Sequence, residues 1–98
     1  MAISSSIQKF VGTWCEKGSC VEYSVSIQDG VVVVTGLDTS DGEVLRIQDI
    51  SFDGSALRFT SVCPSTVFVL THVFRSLSDG EVEHEFTRIQ TWQRKETP

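Results

Sequence analysis

Arg88, His72 and His84 are the side chains of this 98-residue chain best suited to chemistry. A guanidinium on an inward strand face would grip a carboxylate or phosphate through two parallel hydrogen bonds. It could instead stack on Trp14 or Trp92 and serve structure. The two histidines are the only ones in the chain. Placed on one face of adjacent strands, they would form half of a metal site or a proton-transfer pair. No third ligand accompanies them. Glu83 and Glu85 flank His84 but alternate to the other face of an extended strand. Cys15, Cys20 and Cys63 have no base beside them in sequence, so nucleophilic catalysis lacks support. There is no phosphate-cradling glycine loop, nucleophile elbow or paired-metal signature. The sequence thus indicates no catalytic residue, no metal and no cofactor.

The elements that must position these residues are strands. Asp-Gly occurs at 29–30, 41–42, 53–54 and 79–80, and glycine there supplies the positive φ that tight hairpins need. Lys17-Gly18-Ser19 and Cys63-Pro64-Ser65 add two turns. Seven extended segments remain, at about 11–16, 21–28, 31–38, 43–52, 55–62, 66–76 and 81–94. Ser5 and Gln8 form a weak capping box, and Ile3, Ile7 and Phe10 share a helical face. The expected fold is all-β: one domain over residues 1–98, a small antiparallel up-and-down barrel of about six to eight strands with a short N-terminal helical turn.

Alternation assigns the faces. Val21, Tyr23, Val25 and Ile27 point inward on the second strand. A first hairpin loop of Glu16 to Ser19 sets Cys15 opposite Cys20, close enough for a disulfide if oxidised, and Trp14 opposite Val21. Leu45 and Ile47 differ in phase from Ile50 and Phe52, which calls for a β-bulge near Gln48-Asp49. A final loop of Ser78-Asp79-Gly80 pairs Arg75 with Glu83, Phe74 with His84, His72 with Phe86, Leu70 with Arg88 and Phe68 with Gln90. Cys63 is expected as a small buried filler. Val31 to Val34 and the sixth strand look apolar on both faces. Outward valines such as Val32, Val34, Val67 and Val69 then need a cover, which points to a homo-oligomer, most simply a dimer.

The net charge of −5, without a Lys/Arg cluster, speaks against nucleic acid and anionic lipid as partners. No apolar run approaches the ~20 residues of a membrane helix. Three cysteines cannot all pair within one chain, and the start at Met1 lacks a secretory pattern. A cytoplasmic location is expected.

Lys9-Phe10-Val11-Gly12-Thr13-Trp14 resembles the opening of the fatty-acid-binding proteins and, more loosely, the Gly-x-Trp opening of lipocalins and avidins. Phe86-Thr87-Arg88-Ile89-Gln90 is similar to the last strand of the fatty-acid-binding proteins, whose Arg-x-Tyr pair holds the ligand carboxylate. Arg88 matches the arginine, and Gln90 stands where the tyrosine would be. The resemblance covers about a dozen residues at the two ends, and the family's helical lid is missing. It implies a calycin-like barrel with Gly12 and Trp14 as closing residues and Arg88 packed on Trp14 or holding an anion.

The first functional expectation is therefore a binding protein for a small, partly apolar, possibly anionic ligand. Arg88, Tyr23, His72, His84 and Gln90 would make polar contacts, and Phe68 and Phe74 would line the wall. The alternatives are an oligomeric interaction protein with a filled barrel, and a small metal-binding protein or enzyme built on His72 and His84.

Overall fold

The computed structural model describes residues 5–78 and 80–95. The expected positions of Ile3 and Asp79, and of the Ser5 side chain, lie outside what it describes. One helical turn, α1 (Ser5–Gln8), precedes seven strands: β1 (Gly12–Cys15), β2 (Val21–Gln28), β3 (Val31–Asp38), β4 (Glu43–Phe52), β5 (Ala56–Cys63), β6 (Phe68–Ser78) and β7 (Glu81–Ile89). Every strand pairs antiparallel with the next in one sheet. The fold is thus the expected all-β meander, curled into a half-barrel. Its edges are β1 and β7, which share no ladder among the described residues.

The turns follow local chemistry. Asp29 and Gly30 both take positive φ, 52° and 78°, the requirement of a two-residue type I′ hairpin. Asp53 Oδ1 accepts the backbone N–H groups of Ser55 and Ala56 at 2.9 and 2.8 Å, the way aspartate replaces a backbone acceptor in a turn. On β4 the register shifts between Gln48 and Ser51, and Asp49 sits at φ 57°. This is the expected bulge. It brings Phe52 onto the core, while Ile50 remains partly exposed. Glu43 reaches across to accept from the Cys63 thiol, the Ser65 hydroxyl and the Ser65 N–H. Cys63 is therefore a half-buried donor that helps tie this turn to β4, as well as a filler against the core.

The core lies on the concave face. Val25, Val34, Leu45, Leu57, Phe59 and Phe74 are among its buried strand residues, with Tyr23 and Ala56. Each fully buried Leu or Phe contributes roughly 1.5–3 kcal/mol relative to an exposed one. Ile7 and Phe10 seal one end, each 1% exposed, and Phe10 meets Phe52 edge to face at 5.8 Å. Trp14 is only half-buried and donates its indole N–H to the Phe10 carbonyl at 2.7 Å. The deepest seal at this end is made by Ile7 and Phe10, with Trp14 above them. Gly12 enters β1 at φ 141°, a conformation few residues other than glycine adopt.

Three local expectations are corrected. The first hairpin loop is longer than four residues: Trp14 pairs with Tyr23 and Cys15 with Glu22. Cys20 instead gives its carbonyl to Thr39, whose N–H lies at 2.7 Å. Cys15 and Cys20 are free and exposed. Trp14 still faces inward, because Tyr23 and Val21 share parity. Second, Val34 is a core residue and Val32 packs against the core. Among the valines of β3, it is Val31 that stands out, at 61% exposed. Third, Val67 ends the turn before β6 at φ 54°, held by its N–H to the Cys63 carbonyl at 2.7 Å, and is not part of a strand face.

Candidate binding cleft

The last hairpin has the expected register: Arg75 opposes Glu83, Phe74 opposes His84, His72 opposes Phe86 and Leu70 opposes Arg88. A bulge between Ser76 and Ser78 takes up the offset. β7 ends at Ile89, so the expected partner of Phe68, Gln90, falls beyond the ladder. On the outer face Arg75 lies 3.0 Å from Glu85 and 3.6 Å from Glu83. Such exposed pairs add little stability.

The inward face of this hairpin continues onto β5. Phe59 opposes His72, and their rings stack with centroids 4.6 Å apart. The His84 ring lies nearly coplanar with that of His72, 13° apart with centroids at 5.1 Å, so the two meet edge to edge, and Phe86 lies over His84 at 5.4 Å. Four flat side chains thus run from the core to the edge of the sheet. A chain of hydrogen bonds runs alongside. The Tyr23 and Ser61 hydroxyls are 3.2 Å apart, Ser61 Oγ is 2.7 Å from His72 Nε2, and His72 Nδ1 is 2.8 Å from His84 Nε2. Tyr23, Ser61 and His72 are buried, whereas His84 is exposed at the end of the chain. Buried polar groups of this kind must be mutually satisfied, because an orphan costs about 1–3 kcal/mol. No described buried side-chain polar atom lacks a partner.

Burial governs the protonation of this chain. It pushes the His72 imidazole from its ordinary 6.5 down to about 4, and neighbouring His84 adds to the effect. Burial also lowers His84, with the Glu16 carboxylate pulling it back up. Burial raises the Tyr23 phenol, partly offset by its bond to Ser61. Both imidazoles are neutral at pH 7.

Tyr23 can lie this deep because Gly36 stands opposite it. A Cβ on Gly36 would come within 3.1 Å of the Tyr23 ring and 3.1 Å of Leu45 Cβ.

A cleft of about 620 Å³ opens where the two sheet edges face each other. Trp14, Cys15 and Glu16 line it from the β1 side, and Glu81, Val82 and Phe86 from the β7 side. Tyr23, His72, His84 and Phe74 are also among the lining residues. Four expected site residues therefore meet in one cleft. Arg88, Gln90 and Phe68 do not line it. The Arg88 guanidinium instead sits 3.7 Å from the centroid of the Phe68 ring, a cation–π contact on an exposed surface. The lining residues include two carboxylates and no lysine or arginine, so the cleft is a poor host for an anion.

The two imidazoles point at each other and do not converge on a common point. Among the described residues no group of three His, Cys, Asp or Glu side chains is placed to hold a metal ion.

Ser61 is the site residue the sequence reading missed. Its signal was present: it continues the Leu57, Phe59 alternation of β5, so a hydroxyl was due on the inward face. No protein-family model, curated protein or solved structure matches the chain.

Proposed function

We propose that the protein binds a small, partly apolar molecule in the cleft between β1 and β7. The observation that supports this reading is the arrangement of the cleft itself: aromatic and aliphatic walls around one exposed imidazole that is anchored through three buried groups. Ligand sites commonly combine an apolar lining with a few fixed polar groups. The calycin-like resemblance of the chain ends points the same way. Arg88, stacked on Phe68, has no part in this reading.

The test is a titration of small aromatic compounds and fatty acids followed by Trp14 fluorescence. It is best done in a Trp92→Phe background, since Trp92 is 85% exposed and would add an unrelated signal. A saturable change that weakens in His84→Ala and persists in Arg88→Ala is expected. Absence of any saturable response across the panel sinks the proposal.

A second reading, self-association, is favoured by one observation. β7 is an open edge strand carrying exposed Phe86 and Ile89, and such edges are ready templates for pairing with another chain. Sedimentation that shows only monomer at micromolar concentration removes it.

A further inference from the structure

We propose that the Tyr23–Ser61–His72–His84 chain runs in one direction, so that His84 presents Nδ1–H to the cleft and the ligand is anchored there by a neutral acceptor, such as a ketone or amide carbonyl. This inference rests on the cleft being a binding site. The direction follows from counting donors. Among the described residues, Ser61 is the only partner of the buried Tyr23 hydroxyl. If Ser61 donated to Tyr23, the phenol proton would have no protein acceptor. Tyr23 therefore donates to Ser61 Oγ. Ser61 then donates to His72 Nε2, which lies at 2.7 Å. A neutral His72 carries one ring proton, so that proton is on Nδ1 and is given to His84 Nε2 at 2.8 Å. His84 Nε2 is thereby an acceptor. The single proton of neutral His84 is left on Nδ1, which has no protein partner among the described residues.

The other polarity would need Nε2–H on both imidazoles and would leave the phenol proton without a protein acceptor among the described residues. Protonating either ring forces a similar reversal, which keeps the pair neutral. The surroundings agree with a neutral acceptor. Glu16 and Glu81 line the cleft and repel an anion there. His84 is flanked by Phe74 edge-on at 4.9 Å and by Phe86 stacked at 5.4 Å. A carbonyl oxygen approaching in the plane of the His84 ring would take the Nδ1–H, with the Phe74 and Phe86 rings beside it.

Two measurements on the full chain test this. Nitrogen-15 imidazole NMR of the free protein at pH 7.5 is expected to show both histidines as Nδ1–H tautomers. His72 as the Nε2–H tautomer overturns the proposal. Three matched probes, 2-acetylnaphthalene, 2-ethylnaphthalene and 2-naphthoate, are then titrated against Trp14 fluorescence. The ketone is expected to bind about five- to tenfold tighter than the hydrocarbon, the effect of one hydrogen bond, and tighter than the carboxylate. If the hydrocarbon or the carboxylate binds as well as the ketone, this inference fails while the binding reading stands. If all three are silent, both fail. Tyr23→Phe keeps the ring but removes the proton that sets the direction, and is expected to shrink the preference for the ketone; an unchanged preference again overturns the proposal.

Discussion

Acidification offers the sharpest test of the buried histidine chain. In the folded protein the His72 imidazole is held down at about 4 against an ordinary 6.5. A proton therefore binds the unfolded chain more readily than the native one, and protonation favours unfolding. The stabilising contribution is complete above pH 6.5 and is lost as the pH falls toward 4. At about 1.36 kcal/mol for each pH unit, the loss reaches roughly 3 kcal/mol by pH 4. His84 acts in the same direction, but it is exposed and adds less. Three hydrogen-bonded carboxylates act below this window. Asp38, Glu43 and Asp53 are held below their ordinary values by hydrogen bonds, so their contributions remain until the pH drops beneath those values. Urea unfolding between pH 7.5 and 4.5, followed by tryptophan fluorescence, reads the effect directly. Wild type is expected to lose most of that 3 kcal/mol with its urea dependence unchanged. His72→Gln, less stable at neutral pH, is expected to show a much flatter profile, retaining only the part due to His84. A wild-type profile that is flat over this range would refute the reasoning, as would a full loss in His72→Gln.

Two further outcomes follow from packing. Gly36→Ala places a methyl 3.1 Å from both the Tyr23 ring and Leu45; it is expected to cost about 1–3 kcal/mol, the range for overpacked cores, measured by the same unfolding assay, and a neutral result would mean Tyr23 does not lie across Gly36. Trp14→Phe removes the indole donor to the Phe10 carbonyl, now at 2.7 Å; it is expected to cost about 1 kcal/mol through that bond and to speed amide exchange in α1 and the following turn.

Much of the fold could be read in advance because the relevant physics is local. Asp-Gly pairs set turns, alternation sets faces, and a change of phase between Ile47 and Ile50 requires a bulge. The same locality accounts for the register of the last hairpin, where the turn and the Arg75–Glu83 pair agree. It also brought His72, His84, Phe74 and Tyr23 into one set. It was less reliable where neighbouring loops compete: Cys20 is claimed by Thr39, nineteen residues on, and the first hairpin is longer in consequence. The valines of β3 show a different limit. A run of four valines carries no alternation, so the inward pair could be assigned only from the register with β2, where Val34 meets Val25.

By itself, then, the sequence determined the all-β meander, the turns, the bulge on β4 and the inward face of the β6–β7 hairpin. These depend on neighbours within a strand or across one tight turn. The tertiary structure decided the rest. Tyr23 and Ser61 are 38 residues apart and meet only because the sheet curls. The edges β1 and β7 leave a cleft between them, and strand patterning does not say whether accumulated twist will bring two edges into pairing distance. Arg88 has the parity of an inward residue and opposes Leu70, yet its guanidinium packs on Phe68 and does not line the cleft.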